Sequence, residues 1–185
     1  MNRKVFSTLS LAFGLLAQPV AGQTWYWFEA GLGVGSVGEG GGLNGRLALG
    51  LLSGRWGGMA RATIHDGGEG VTEPGFFSGL FGPPHETFEE VSVLLTRSLR
   101  AGTDNAVLIG LGVGTMSGRR IDSTDGIGLE DLKPTWGVPF ELAIHGGDGR
   151  GIGGSLVLSG HLNAEAPQVG LGLAVSLGRI TGGAG

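Results

Sequence analysis

Gln168-Val169-Gly170-Leu171-Gly172-Leu173-Ala174-Val175-Ser176-Leu177 is the stretch that decides how this chain is read. The odd positions are all large and aliphatic, whereas the even ones are Gln168, Gly170, Gly172, Ala174 and Ser176. A period of two sorts side chains onto the opposite faces of a β-strand, so one face is hydrocarbon and the other small or polar. The stretch from Tyr26 repeats the split, with Tyr26, Phe28, Ala30, Leu32 and Val34 against Trp27, Glu29, Gly31, Gly33 and Gly35.

Six further segments alternate in the same way. Leu43, Leu47, Leu49 and Leu51 oppose Asn44, Arg46, Ala48 and Gly50; Ala60, Ala62 and Ile64 oppose Arg61, Thr63 and His65. Val91, Val93 and Leu95 oppose Ser92, Leu94 and Thr96; Val107, Ile109, Leu111 and Val113 oppose Leu108, Gly110 and Gly112. Trp136, Val138, Phe140, Leu142 and Ile144 oppose Gly137, Pro139, Glu141, Ala143 and His145; Leu156 and Leu158 oppose Ser155, Val157, Ser159 and His161. Eight segments of about 9–11 residues suit tilted strands that cross a bilayer, and an even number suits antiparallel closure. The connections agree independently: Ser53–Gly58, Arg100–Asp104 and Gly146–Gly151 are short, whereas Asp66–Thr87 and Ser117–Thr135 on the other side are long. The expected fold is all-β, an antiparallel up-and-down transmembrane β-barrel of about eight strands.

Cost decides which face meets lipid. A soluble lipocalin-like barrel would alternate too, but with the apolar set inside and a charged exterior. Here that exterior would be Gly, Ala and Ser, and charged residues are only 15% of the chain. Glycine supplies 41 of 185 residues. Neither the three-residue period of collagen nor the apolar-poor composition of a disordered tract accompanies it.

Residues 1–22 read as a secretory signal peptide: Arg3 and Lys4, an apolar run from Val5 to Ala17, then Pro19, Ala21 and Gly22 before the cut. Residues 23–185 then form one barrel domain. Removing Arg3 and Lys4 from 12 basic residues leaves 10 against 16 acidic ones. That balance argues against nucleic acid as a partner. The absence of cysteine excludes a disulfide scaffold, a thiolate metal site and a lipid-anchored Cys.

In its eight alternating, glycine-rich segments the chain resembles the small outer-membrane β-barrels of the OmpA/OmpX type. In that class the last strand carries a signal for the barrel-assembly machinery, and Gln168, Gly170, Leu173 and Val175 match its spacing. Val175 is not aromatic, however, and the chain runs on to Gly185. The resemblance implies the bacterial outer membrane as location, its lipid and the assembly machinery as partners, and a monomer. No cofactor is expected, and the sequence identifies no extracellular partner.

Glu29, Arg46, Arg61, Glu141 and His145 all fall on the inner face, where charges must pair; the expectation is an ionic network plugging a narrow lumen. Trp25, Tyr26, Trp27, Trp56 and Trp136 lie near segment ends and are expected in interfacial girdles. Arg97 falls on the lipid face near a strand end, and Pro139 is expected to force a bulge or local break. Gly33–Gly38 matches a dinucleotide-binding pattern, but Glu39-Gly40-Gly41-Gly42 follows where a helix is required. Ser159, His161 and Glu165 invite comparison with barrels that deacylate lipid A, yet the position two after His161 is Asn163, which is no nucleophile. Acidic residues from Asp122 to Asp131 lack EF-hand spacing, and Phe76, Phe77 and Phe81 set apolar rings in the other long loop. The expected role is structural or interaction-based, through the external loops. A lipid A-modifying enzyme of the acyl hydrolase type and a narrow solute pore are the competing readings.

Overall fold

A computed structural model describes residues 24–38, 40–67, 86–100, 105–121, 129–147 and 151–178. The expected signal peptide, the Phe76–Phe81 rings and Asp122–Asp125 lie outside the described residues. The strands are β1 (Thr24–Val37), β2 (Gly40–Ser53), β3 (Trp56–Gly67), β4 (Glu86–Arg100), β5 (Asn105–Ile121), β6 (Leu129–Gly147), β7 (Ile152–Leu162) and β8 (Gln168–Gly178). Each pairs antiparallel with its neighbours, and β8 pairs β1 from Trp27↔Gly178 to Val37↔Gln168, so the barrel closes. Closure leaves the sheet without an edge inside the apolar zone, which hydrocarbon requires of any spanning sheet. Connections β2–β3, β4–β5 and β6–β7 lie at one end, here the turn end; the other four define the loop end.

Alternation holds through the apolar belt of every strand, although Leu51 and Leu52 at the turn end of β2 are both buried. Leu32, Leu47, Ile64, Leu95, Leu111, Ile144, Leu158 and Leu173 face outward and are exposed, while Glu29, Arg46, Arg61, Ser92, Glu141 and Ser155 are buried inside. Leu173 is 69% exposed, while Gly170 and Gly172 on the same strand face the axis. The leucines are therefore not the core of a soluble carrier.

Glycine lets the wall bend. A Cβ on Gly33 would overlap the carbonyl oxygen of Leu171 and lie 2.7 Å from Gly172 Cα. Across the barrel, one on Gly112 would overlap the Val93 carbonyl oxygen and lie 2.7 Å from Leu94 Cα. At these points on the β1–β8 and β4–β5 seams, as at Gly42 and Gly57 on the β2–β3 seam, neighbouring backbones lie so close that an inward side chain has no room. Gly112→Val is expected to cost about 1–3 kcal/mol through forced backbone movement. Urea unfolding of the reconstituted barrel measures this; an unchanged midpoint would remove the bend from the account.

One local expectation is met in part and another is corrected. Pro139 brings the expected local break in the ladder but no bulge: the β5 pairings opposite Val138 and Pro139 are missing, while Leu111↔Phe140 and Gly114↔Gly137 keep one alignment on either side. A proline lacks one ladder donor, and this site tolerates the loss without an extra residue. The bulge lies instead between Thr135 and Leu132, opposite Met116 and Gly118. It inserts one residue and so turns Leu132 inward, where it is buried with Val37, Phe88 and Met116. The β5–β6 hairpin also outruns its expected limits, since residues 117–121 and 129–135 pair as backbone without apolar alternation. β6 pairs β7 only from Val138 onward, and Lys133, Pro134 and the bulge fall on the stretch that β7 does not reach. These are the devices that blunt a sheet edge.

Candidate functional site: the lumen

Strand parity alone delivers the inward groups. Odd positions of β1 and β3 bring Glu29 and Arg61 to the axis, and even positions of β2 bring Arg46. From the far wall β6 presents Glu141, and the four groups meet. Arg46 Nη1 lies 3.3 Å from Glu29 Oε1, and Arg46 Nη2 lies 3.1 Å from Glu141 Oε2. Arg61 Nη1 donates to Glu141 Oε2 at 3.2 Å, and Arg61 Nη2 to Glu90 Oε1 at 2.6 Å. The guanidinium of Arg61 also donates to the Phe140 and Gly160 carbonyl oxygens, each at 3.1 Å. The result is a ladder of alternating charge, Glu29–Arg46–Glu141–Arg61–Glu90, running from one wall to the other. Planar guanidinium forks suit such bridging because each can engage several oxygens at once.

Glu90 was not among the expected residues, although it shares the parity of Ser92, Leu94 and Thr96. The apolar run that marks β4 begins at Val91, while the strand itself begins at Glu86. Ser155 was missed as a partner for a different reason, since pairing across a lumen leaves no mark on spacing.

Ser155, His145 and Glu29 form a second cluster beside the ladder. Ser155 Oγ lies 2.9 Å from His145 Nδ1 and donates to Glu29 Oε2 at 3.2 Å, while His145 Nδ1 lies 3.6 Å from the same carboxylate oxygen. The residue types are those of an acyl-transfer triad, but the geometry is not. A relay uses one ring nitrogen for the nucleophile and the other for the acid. Here both face Nδ1, and Nε2 has no hydrogen-bond partner. The Ser159–His161–Glu165 set is not assembled either: His161 is fully buried with both ring nitrogens unpartnered, while Glu165 is exposed in the β7–β8 connection.

Apolar layers bracket the ladder. Toward the turn end lie Trp27, Leu52, Met59, Leu94 and Leu108; toward the loop end lie Val37, Phe88, Met116, Leu132 and Ala166. Between the ladder and the upper layer, Asn44 Oδ1 meets His65 Nδ1 at 2.5 Å and accepts from Gln168 Nε2 at 3.4 Å.

The aromatic expectations divide. Tyr26, Trp56 and Trp136 stand exposed on the outer wall. Trp27 does not: it is 2% exposed, and its ring covers Gly50 inside the lumen. Trp25 also packs against the inner turn-end layer. Both share the odd parity of Glu29, and parity outweighs proximity to a strand end. Trp56 begins β3 rather than lying in a turn. Arg97 is exposed on the outer wall, its guanidinium 5.1 Å from the centre of the Trp56 ring. In the β8 stretch, Gln168 and Gly170 face inward while Leu173 and Val175 face outward.

An eight-stranded antiparallel barrel with an apolar exterior and a filled ionic interior has the fold of the small outer-membrane barrels of the OmpA/OmpX type. Neisserial surface protein A is similar in structure with a TM-score of 0.59 and 7% identity, over 83% of this chain and 96% of that one. Ail, the attachment invasion locus protein of Yersinia pestis, gives 0.56 and 11% over 85% of this chain and 99% of its own. The N-terminal β-barrel domain of Pseudomonas aeruginosa OprF gives 0.57 and 12% over the same shares, 85% and 99%. No family model matches the chain, and no curated protein sequence is significantly similar to it.

Proposed function

We propose that this chain is exported by a cleaved signal peptide and stands in the bacterial outer membrane as a monomeric, non-conducting barrel that acts through its loop end. The observation that carries the reading is the outer wall: exposed Leu, Ile and Val side chains on all eight strands, which water would penalise and hydrocarbon accepts. Two features of the interior support a structural or surface role over a pore. Every charged group of the ladder has a partner of opposite sign, and the apolar layers on either side of it oppose wetting. The one serine–histidine–carboxylate cluster that does assemble lacks relay geometry, which weighs against an acyl hydrolase.

The neighbours include a surface protein and an attachment protein. Ail has also been solved with the heparin analogue sucrose octasulfate. The described loop-end residues of this chain are more acidic than basic, with Asp66, Glu86, Glu89, Glu130, Asp131 and Glu165 against Arg119, Arg120 and Lys133. Such a rim disfavours a polyanion and favours a partner that is cationic or neutral.

The chain has no cysteine, so single substitutions give clean labelling. Glu165→Cys is expected to react with an impermeant maleimide on intact cells, and Arg55→Cys only after permeabilisation. Leu173→Cys should stay unreacted in both. Labelling of Leu173→Cys as fast as Glu165→Cys would place that wall in water and end the proposal.

A further inference from the structure

Arg97 is the described cation of an otherwise apolar stretch of outer wall. On β4 its outward neighbours are Val93, Leu95 and Leu99. No carboxylate pairs with it among the described residues; its contact is the face of Trp56, directly opposite in the β3–β4 register. That ring is itself 52% exposed. The Ser98 amide donates to the Arg55 carbonyl at 2.8 Å, which holds the β2–β3 turn, with its exposed Arg55, against the same rim. A guanidinium group and an indole are thus paired where the apolar wall gives way to the turn end.

An unpaired charge on a hydrocarbon-facing wall is costly unless it reaches the interface and meets an anion there. The cation–π contact with Trp56 holds the guanidinium at that height, and no described acceptor occupies its N–H groups. The guanidinium edge matches a phosphate oxygen pair, the indole suits the headgroup boundary, and Leu95 and Leu99 suit the chains beneath it.

We propose that Arg97 and Trp56 form a binding site for the headgroup phosphate of an anionic phospholipid, on the turn-end rim of β3 and β4. The inference rests on the membrane reading above, and its test separates the two. Trp136→Phe removes the other strongly exposed indole, which leaves Trp56 as the main lipid-facing fluorophore. This protein is reconstituted into phosphatidylcholine vesicles that carry equal small fractions of brominated phosphatidylglycerol or brominated phosphatidylcholine. The brominated phosphatidylglycerol is expected to quench as though enriched about five-fold beside Trp56, and Arg97→Gln to bring that ratio close to one. Arg97→Lys should retain only part of the preference, because a point charge lacks the planar fork. Equal quenching by both lipids, or a preference that survives Arg97→Gln, overturns the site while leaving the membrane reading intact. Quenching by neither overturns both.

Discussion

Glu141→Ala is expected to destabilise the barrel by about 3–5 kcal/mol, the range for breaking a buried ion pair by removing one partner. Glu141 is the middle rung, engaging Arg46 at 3.1 Å and Arg61 at 3.2 Å. Its loss leaves two guanidinium groups inside the wall with one carboxylate each, Glu29 and Glu90 at the two ends. Glu141→Gln should cost less, because the amide oxygen still accepts a hydrogen bond from one of them. Glu90→Ala should also cost less, since only Arg61 loses a partner and it keeps Glu141 and two carbonyl oxygens. Urea unfolding in vesicles of fixed composition ranks the three. A Glu141→Ala loss below about 1 kcal/mol, the scale of an exposed pair, would mean that water screens the ladder and the lumen is open.

Trp27→Ala is expected to cost about as much, roughly 3–5 kcal/mol, for a different reason. The ring fills the turn-end interior over Gly50 and packs in one layer with Leu52, Met59 and Leu94. Truncation deletes the largest side chain of that layer, and a closed wall collapses poorly around the space left. Tyr26→Ala, one residue away on the outer face, should cost far less, because lipid replaces what the ring covered. Comparable losses for Trp27→Ala and Tyr26→Ala in the same unfolding assay would contradict the inward placement of Trp27.

Most of the lumen was legible because a strand has only two faces. Once Val169, Leu171 and Leu173 are assigned to one environment, Gln168, Gly170 and Gly172 follow, and so do Glu29, Arg46 and Glu141 on their own strands. Errors arose where a residue's neighbourhood was weighed above its parity. Trp25 and Trp27 sit beside Tyr26 near a strand end and read as a girdle, yet they alternate with it. Glu90 lay just before the apolar run that marked its strand. The upper β5–β6 hairpin shows the same limit from the other side: beyond the apolar belt, backbone pairing continues while the hydrophobic contrast that reveals it does not.

The amino-acid sequence by itself determined that the chain forms alternating strands, about how many, and which set of side chains shares a face. Those are local consequences of a two-residue repeat. Only the tertiary structure decided that Arg61 bridges Glu141 and Glu90, that Ser155 and Glu29 share one nitrogen of His145, and that a bulge near Pro134 turns Leu132 inward. Each depends on shear and register around a closed sheet. A two-residue slip keeps every strand's inward set facing the lumen while changing every partner across it.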